Sequence, residues 1–256
     1  MNLLLTNDDG IYARGLNVLR QELSKDADCL VVAPETERSA VGHAITLSRP
    51  LMVRRFMKEG DFRGYAVSGT PADCVKIGIR ELTEKPIDMV VSGINLGQNV
   101  GINVIYSGTV SAATEGAILG IPAIALSLNT YRDADFSFAA NFARKMVRFM
   151  MQDNPLKHIP LNINIPALPE EEIRGVVVVK QGKARLMESF DKRVDPRDRT
   201  YYWLAGETQL AEGEEADTDA SALKKGLITI TPIYYDLTRH DALDAVKSFL
   251  VGFQFK

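Results

Sequence analysis

Short runs of uncharged apolar residues alternate with segments of helical period along the first half of the chain, and that alternation leaves few folds open. NLLLTN, CLVVAP, DMVVSGIN and IPAIALSL each read as a strand. Between them, RGLNVLRQELSK puts Leu16, Leu19 and Leu23 on one helix face, PADCVKIGIREL opens a helix with Pro71 in its first turn, and TVSAATEGAILG supplies a helix ending near Gly120. Strands as apolar as MVV and AIAL must be covered on both faces, which predicts an α/β fold with a mostly parallel sheet between helices.

Two stretches modify this pattern. LMVRRFMKEGDFRGYAVSG alternates on either side of Gly60 and Asp61 and predicts an antiparallel hairpin inserted in the winding. SFAANFARKMVRFMMQ predicts a long helix, with Phe138, Phe142, Ala143, Met146 and Phe149 as its buried stripe. After Pro155 the strands LNINIP, GVVVVKQG, TYYWLAG and LITITPI dominate. One domain over residues 1–256 is expected: a core over 1–155 that carries the site, then a β-rich extension over 156–256 with a C-terminal helix. In the extension, ESFDKRVDPRDRTYYWL predicts an arm with Tyr201, Tyr202 and Trp203 beside a charged hairpin, suited to contact a neighbouring subunit.

A chain of 256 residues buries enough apolar surface to fold without disulfides or structural metals. Its formal charge of −3 argues against a sequence-independent nucleic-acid binder. Cys29 and Cys74 sit in apolar segments without metal-finger spacing and read as reduced thiols. No secretory leader or stretch of about 18 apolar residues is evident, so a cytoplasmic protein with no membrane partner is expected.

The first strand ends on Asn7, Asp8, Asp9 and Gly10. Adjacent carboxylates repel unless a positive charge lies between them, and a glycine lets the backbone turn both toward one point. Ligands of open α/β sheets bind outside the carboxyl ends of the strands. Four segments bring polar residues there: Asp8 and Asp9; Glu37, Arg38 and Ser39; Asn95 and Asn99; and Ser107, Gly108 and Thr109 after INVIY. Carboxylate, hydroxyl and amide oxygens suit a hard divalent cation, with Ser39 a third candidate ligand and Asn95 a fourth. YSGTVSAATEG offers helix N-terminal N–H groups, with hydroxyls at Ser107, Thr109 and Ser111, to a phosphate. Arg38 is a further candidate for a phosphate oxygen. His43 is the histidine nearest this cluster in sequence; a general-acid role is weighed against the closing of a hydrogen bond, and it is left out of the catalytic set.

Other chemistries lack their signatures. GxSxG, HExxH and a catalytic-cysteine context are absent, and the adjacent aspartates do not fit the spaced pair of haloacid-dehalogenase phosphatases. A transferase using a phosphorylated cofactor would need a glycine fingerprint after the first strand, and NDDGIYARG does not supply one.

LLTNDDGIYARGL, VVAPETERSAVGHAIT, GTPADCV, VVSGINLGQNVG, YSGTVSAATEG and DTDASALKKGLITITPI resemble, in order, the blocks of the survival protein SurE family, from Asn2 to Pro232. The resemblance implies a Rossmann-like core with a C-terminal extension that exchanges between subunits of a homodimer or homotetramer. It implies a divalent-metal-dependent phosphatase of nucleoside 5′- and 3′-monophosphates, with polyphosphate as a further substrate and one Mg²⁺ or Mn²⁺ per subunit. Carried over by position, Asp8 and Asp9 are catalytic, Asp8, Asp9, Ser39 and Asn95 bind the metal, and Asn99, Ser107, Gly108 and Thr109 lie by the phosphate. The competing reading from a different class is a metal-dependent nucleotide-binding module without turnover.

Overall fold

The computed structural model describes residues 1–132, 134–152 and 158–253; the division expected at residue 155 lies outside the described residues. The chain runs β1 (Asn2–Thr6), α1 (Arg14–Leu23), β2 (Asp28–Pro34), β3 (Val53–Lys58), β4 (Asp61–Val67), α2 (Pro71–Arg80), β5 (Met89–Leu96), α3 (Gly108–Ile118), β6 (Ala123–Asn129), α4 (Ser137–Met150) and β7 (Leu161–Pro166). It continues through β8 (Val176–Val178), β9 (Arg185–Val194), β10 (Thr200–Gln209), α5 (Asp219–Lys224), β11 (Ile228–Pro232) and α6 (Leu243–Phe249).

Among the described residues one nine-stranded sheet has the order β3-β4-β2-β1-β5-β6-β7-β11-β8. Strands β4, β2, β1, β5, β6 and β7 are mutually parallel, and β3, β11 and β8 run against them. The chain therefore starts at the centre, winds outward through β2 and β4, then crosses back to β5 on the other side of β1. That reversal opens a crevice at the carboxyl ends of β1 and β5, where a ligand site is expected.

The run of three leucines follows from the pleat. Leu3 and Leu5 point into one core with Leu16, Leu19 and Leu23 of α1 and Ala139, Ala140 and Ala143 of α4. Leu4 points to the opposite core with Cys74 and Val75 of α2 and Ala112 and Ala113 of α3. Each of the three leucines is fully buried, so the strand has no solvent face and must be apolar throughout.

The hairpin around Gly60 forms as read: β3 and β4 pair antiparallel, with Glu59 and Gly60 both at positive φ in the turn. It does not stand apart, because β4 also pairs parallel with β2 and extends the main sheet. The helix α4 corrects the expected stripe. Its buried face is Ala139, Ala140, Ala143, Val147 and Met150, whereas Phe138, Phe142 and Met146 lie at the margin and Phe149 is 72% exposed. Small alanines let the helix lie close against α1 and the sheet, and that spacing leaves no room for a row of phenylalanines beneath it. INVIY is a 3₁₀ turn over Gly101–Tyr106, not a strand.

The late strands divide in two groups. β7, β11 and β8 join the main sheet, while β9 and β10 form a separate two-stranded hairpin, Arg185 opposite Gln209 through Val194 opposite Thr200. The architecture is the expected α/β one, with the hairpin as its C-terminal projection.

Candidate active site

The turn after β1 is fixed by main-chain and amide bonds. The Asn7 side chain both accepts from Gly10 N–H at 3.2 Å and donates to Gly10 C=O at 3.0 Å. Gly10 has φ +96°, and a Cβ there would come within 3.2 Å of the Thr36 backbone, so glycine serves both the turn and the close packing of the next loop. Ile11 N–H donates to Pro34 C=O at 2.8 Å and Arg38 N–H to Asp8 C=O at 2.7 Å. The loops after β1 and β2 are thereby tied, bringing the Glu37–Ser39 segment to the aspartates.

The start of α3 closes the site from the other side. Ser107 is its N-cap, its hydroxyl accepting from Val110 N–H at 3.1 Å. The Thr109 hydroxyl donates to the Asp8 carboxylate. A Cβ on Gly108 would lie 2.7 Å from Asp8 Cβ and 3.0 Å from its Oδ2, so only glycine lets the helix terminus press against this carboxylate. The hydroxyls of Ser107, Thr109 and Ser111 are used within the protein, Ser111 donating to Ser107 C=O at 2.6 Å. What the turn offers a ligand is its main-chain N–H groups.

Electrostatics mark both aspartates. Burial raises the Asp8 carboxyl above its ordinary range, against the opposing pull of the Thr109 hydroxyl and the main-chain N–H groups at the helix start. Burial and the neighbouring Asp8 charge push Asp9 up to about 7, with Glu37 adding to the effect and Leu96 N–H opposing it. The Leu96 contact places Asp9 beside the end of β5. Two carboxylates forced together and out of water are held at a cost that a cation would relieve.

The remaining sequence-predicted residues fall as follows. Asn95 lies within β5, not after it, beside a register shift between Ser92 and Asn95. Its Nδ2 donates to Gly97 C=O at 2.8 Å, which commits the nitrogen and leaves the oxygen as the atom for a cation. Ser39 is exposed and donates to Glu37 Oε1 at 2.6 Å. Arg38 donates to Ser68 C=O at 3.1 Å. Asn99 is buried, its Nδ2 on Ser127 Oγ at 2.8 Å. His43 closes a hydrogen bond, Nε2 to Glu115 Oε2 at 2.8 Å.

Several supporting residues were not singled out from sequence. Asn162 and Asn164 of β7 both donate to Asn99 C=O, at 2.8 and 3.0 Å, and Asn164 Oδ1 accepts from Asn99 N–H at 2.7 Å. The signal was present in LNINIP, where two amides interrupt an otherwise apolar strand. Asp219 is fully buried and accepts from Gly101 N–H and Gly182 N–H, each at 2.9 Å. It pins the 3₁₀ turn that leads into Ser107.

Among the described residues no group of three or more His, Cys, Asp or Glu side chains is gathered as for a metal. A cation at this site would take two carboxylates and complete its shell from the Asn95 amide, a hydroxyl and water. That donor set fits a hard divalent ion and does not fit zinc or iron.

The survival protein SurE family profile matches residues 3–188. A curated protein of Syntrophus aciditrophicus named 5′-nucleotidase SurE is 72% identical over 250 residues, covering 98% of this chain and 94% of the relative. One of the same name from Syntrophobacter fumaroxidans is 49% identical, covering 96% and 98%. The crystal structure of the SurE protein from Aquifex aeolicus superimposes with a TM-score of 0.82 at 40% identity, over 97% of this chain and 99% of that one. The chain is a member of the survival protein SurE family.

Proposed function

We propose that this chain is a phosphomonoesterase that hydrolyses nucleoside 5′-monophosphates, and 3′-monophosphates at the same centre, to nucleoside and phosphate. The 5′ activity is supported by the name of the relative at 72% identity. The observation that carries the reading is the buried Asp8, with the half-buried Asp9 beside it, set against the N-terminus of α3, with Gly108 giving the closest approach. Such a centre accepts a terminal phosphate whatever its other substituent, which extends the substrates to the ends of polyphosphate.

Asp8, Asp9, Ser39 and Asn95 would hold one Mg²⁺ or Mn²⁺ per subunit. Bound there, the cation supplies neutralisation of a phosphate oxygen and acidification of a water. The N–H groups of Gly108 and Thr109, at a helix terminus, take the phosphate oxygens on which charge gathers. Asn99, locked by Asn162 and Asn164, fixes the loop that frames the phosphate. We read residues 1–256 as one such domain, working in the cytoplasm. The apolar side chains left exposed on β9 and β10, Phe190, Tyr202 and Trp203 among them, support assembly into a homodimer or homotetramer.

The test is phosphate release from a panel of nucleoside monophosphates and short polyphosphate, with Mg²⁺, with Mn²⁺ and after chelation. Metal-dependent release that Asp8→Asn loses is the expected result. Nucleotide bound without release under any metal would leave a binding module. A single turnover in ¹⁸O-labelled water separates direct attack by water from an Asp8 phosphoenzyme, since only the latter puts label into a carboxylate.

A further inference from the structure

Glu115 is a buried charge that the proposed centre does not use. Its side chain is 3% exposed in the middle of α3, yet it meets two nitrogen partners, His43 Nε2 at 2.8 Å and Lys76 Nζ at 2.5 Å. Burial works to raise its carboxyl, and His43 and Lys76 outweigh that and hold it below the ordinary range. An ionised carboxylate at this depth of a helix carries a desolvation cost, and the partners offset it only in a fixed geometry.

That geometry fixes His43 next to the phosphate turn. Gly42 N–H donates to Tyr106 C=O at 3.0 Å, and the Thr70 hydroxyl donates to Ala44 C=O at 2.7 Å. Both anchors flank Gly108: Tyr106 precedes the turn by two residues, and Pro71, next to Thr70, would be 3.1 Å from a Cβ on Gly108. His43 is therefore held, from both sides, on the segment that crosses the start of α3. Its side chain stays about one-third exposed. With Nε2 committed to Glu115, Nδ1 makes no hydrogen bond among the described residues.

We propose that His43 is the general acid of the reaction and that Glu115 is its positioning residue. The inference rests on the phosphomonoesterase reading. In the step, an oxygen nucleophile forms a bond to phosphorus, and the bond between phosphorus and the nucleoside oxygen breaks with its electron pair passing to that oxygen. His43 Nδ1 gives that oxygen its proton. When water is the nucleophile it loses one proton to solvent, and the imidazole regains one from solvent, so the net change is ester plus water to alcohol plus phosphate. A carboxylate that orients an imidazole through one nitrogen while the other transfers a proton is a recurrent catalytic pairing.

The experiment uses two esters that differ in need for that proton. A nucleoside leaves as a strongly basic alkoxide unless protonated, whereas p-nitrophenolate leaves without help. In His43→Asn, the ratio of kcat/KM for adenosine 5′-monophosphate to that for p-nitrophenyl phosphate should fall by about 100-fold, the lower range for loss of a general acid. Glu115→Gln should lower the same ratio by about tenfold, a smaller loss because the imidazole remains. An unchanged ratio in His43→Asn, whether both rates hold or both fall together, overturns the proposal and assigns His43 to loop structure. Wild-type protein that releases no phosphate from the nucleotide overturns both this assignment and the reading beneath it.

Discussion

The rim of the crevice and the β9–β10 hairpin are built on opposite principles. At the rim, buried polar groups engage one another: Asn7 on Gly10, Thr109 on Asp8, Asn99 on Ser127, Asp219 on Gly101. On the hairpin, apolar groups are exposed: Met187, Phe190, Tyr202, Trp203 and Leu204 are each between 47% and 66% accessible. The first region is complete within one chain. The second is held to the core only at its base, where Leu186 N–H donates to Asn103 Oδ1 and Asn103 Nδ2 donates to Thr208 Oγ1. Rigidity at the rim thus comes from satisfied hydrogen bonds over a parallel sheet, whereas the hairpin carries its apolar side chains uncovered in the single subunit.

The comparison can be broken most severely at Asp9. In the folded chain without metal its carboxyl is raised to about 7, against 3.8 ordinarily. The folded state then keeps a proton that the unfolded chain releases, so stability falls as pH rises from about 4 to about 7. The loss is up to roughly 4 kcal/mol at about 1.4 kcal/mol per unit, for an Asp9 shift of that size. Asp9→Asn should abolish this part of the slope, and saturating Mg²⁺ should reverse it in wild type. Urea unfolding in chelator at pH 5 and pH 8 checks it; identical slopes in wild type and variant would refute the strain assigned to the rim.

Gly108→Ala should be next in size. The added Cβ, 2.7 Å from Asp8 Cβ, separates the helix terminus from the carboxylate. A displacement on the order of 1 Å costs about 100-fold in kcat/KM. Unimpaired turnover would mean that the contact is incidental. The smallest effect should come from the hairpin. Phe190→Ser or Trp203→Ser should change the unfolding free energy of a dilute subunit by no more than about 0.5 kcal/mol, as surface substitutions do. The light-scattering mass at high concentration should nevertheless drop. A stability loss above about 2 kcal/mol at dilution would show these residues packing on their own core.

What the sequence made legible was local. The apolar strands, the capped helix starts and the NDDG turn each encode their structure within about ten residues, because pleat, cap and glycine turn are short-range constraints. Ser107 as the cap of α3 and Pro71 in the first turn of α2 were readable for that reason. The stripe of α4 was not, since hydrophobicity alone favours Phe149 over Ala140 and only the distance to α1 and the sheet reverses the choice. Nor were Asn164, Glu115 and Asp219, whose partners lie 65, 72 and 118 residues away. Their role exists only once the sheet order is known.

Asp219 carries a consequence for the order in which the molecule matures. Residues 1–118 contain both aspartates and the whole of α3, and these leave the ribosome early. The turn that leads into Ser107 is nonetheless clamped by a carboxylate encoded 118 positions after Gly101, and its neighbour strand β11 follows later still. A nascent chain that has emerged only as far as the hairpin holds the pieces of the centre without the clamp that sets their spacing. Competence therefore arrives only once synthesis has passed Asp219 and β11 can enter the sheet beside β7.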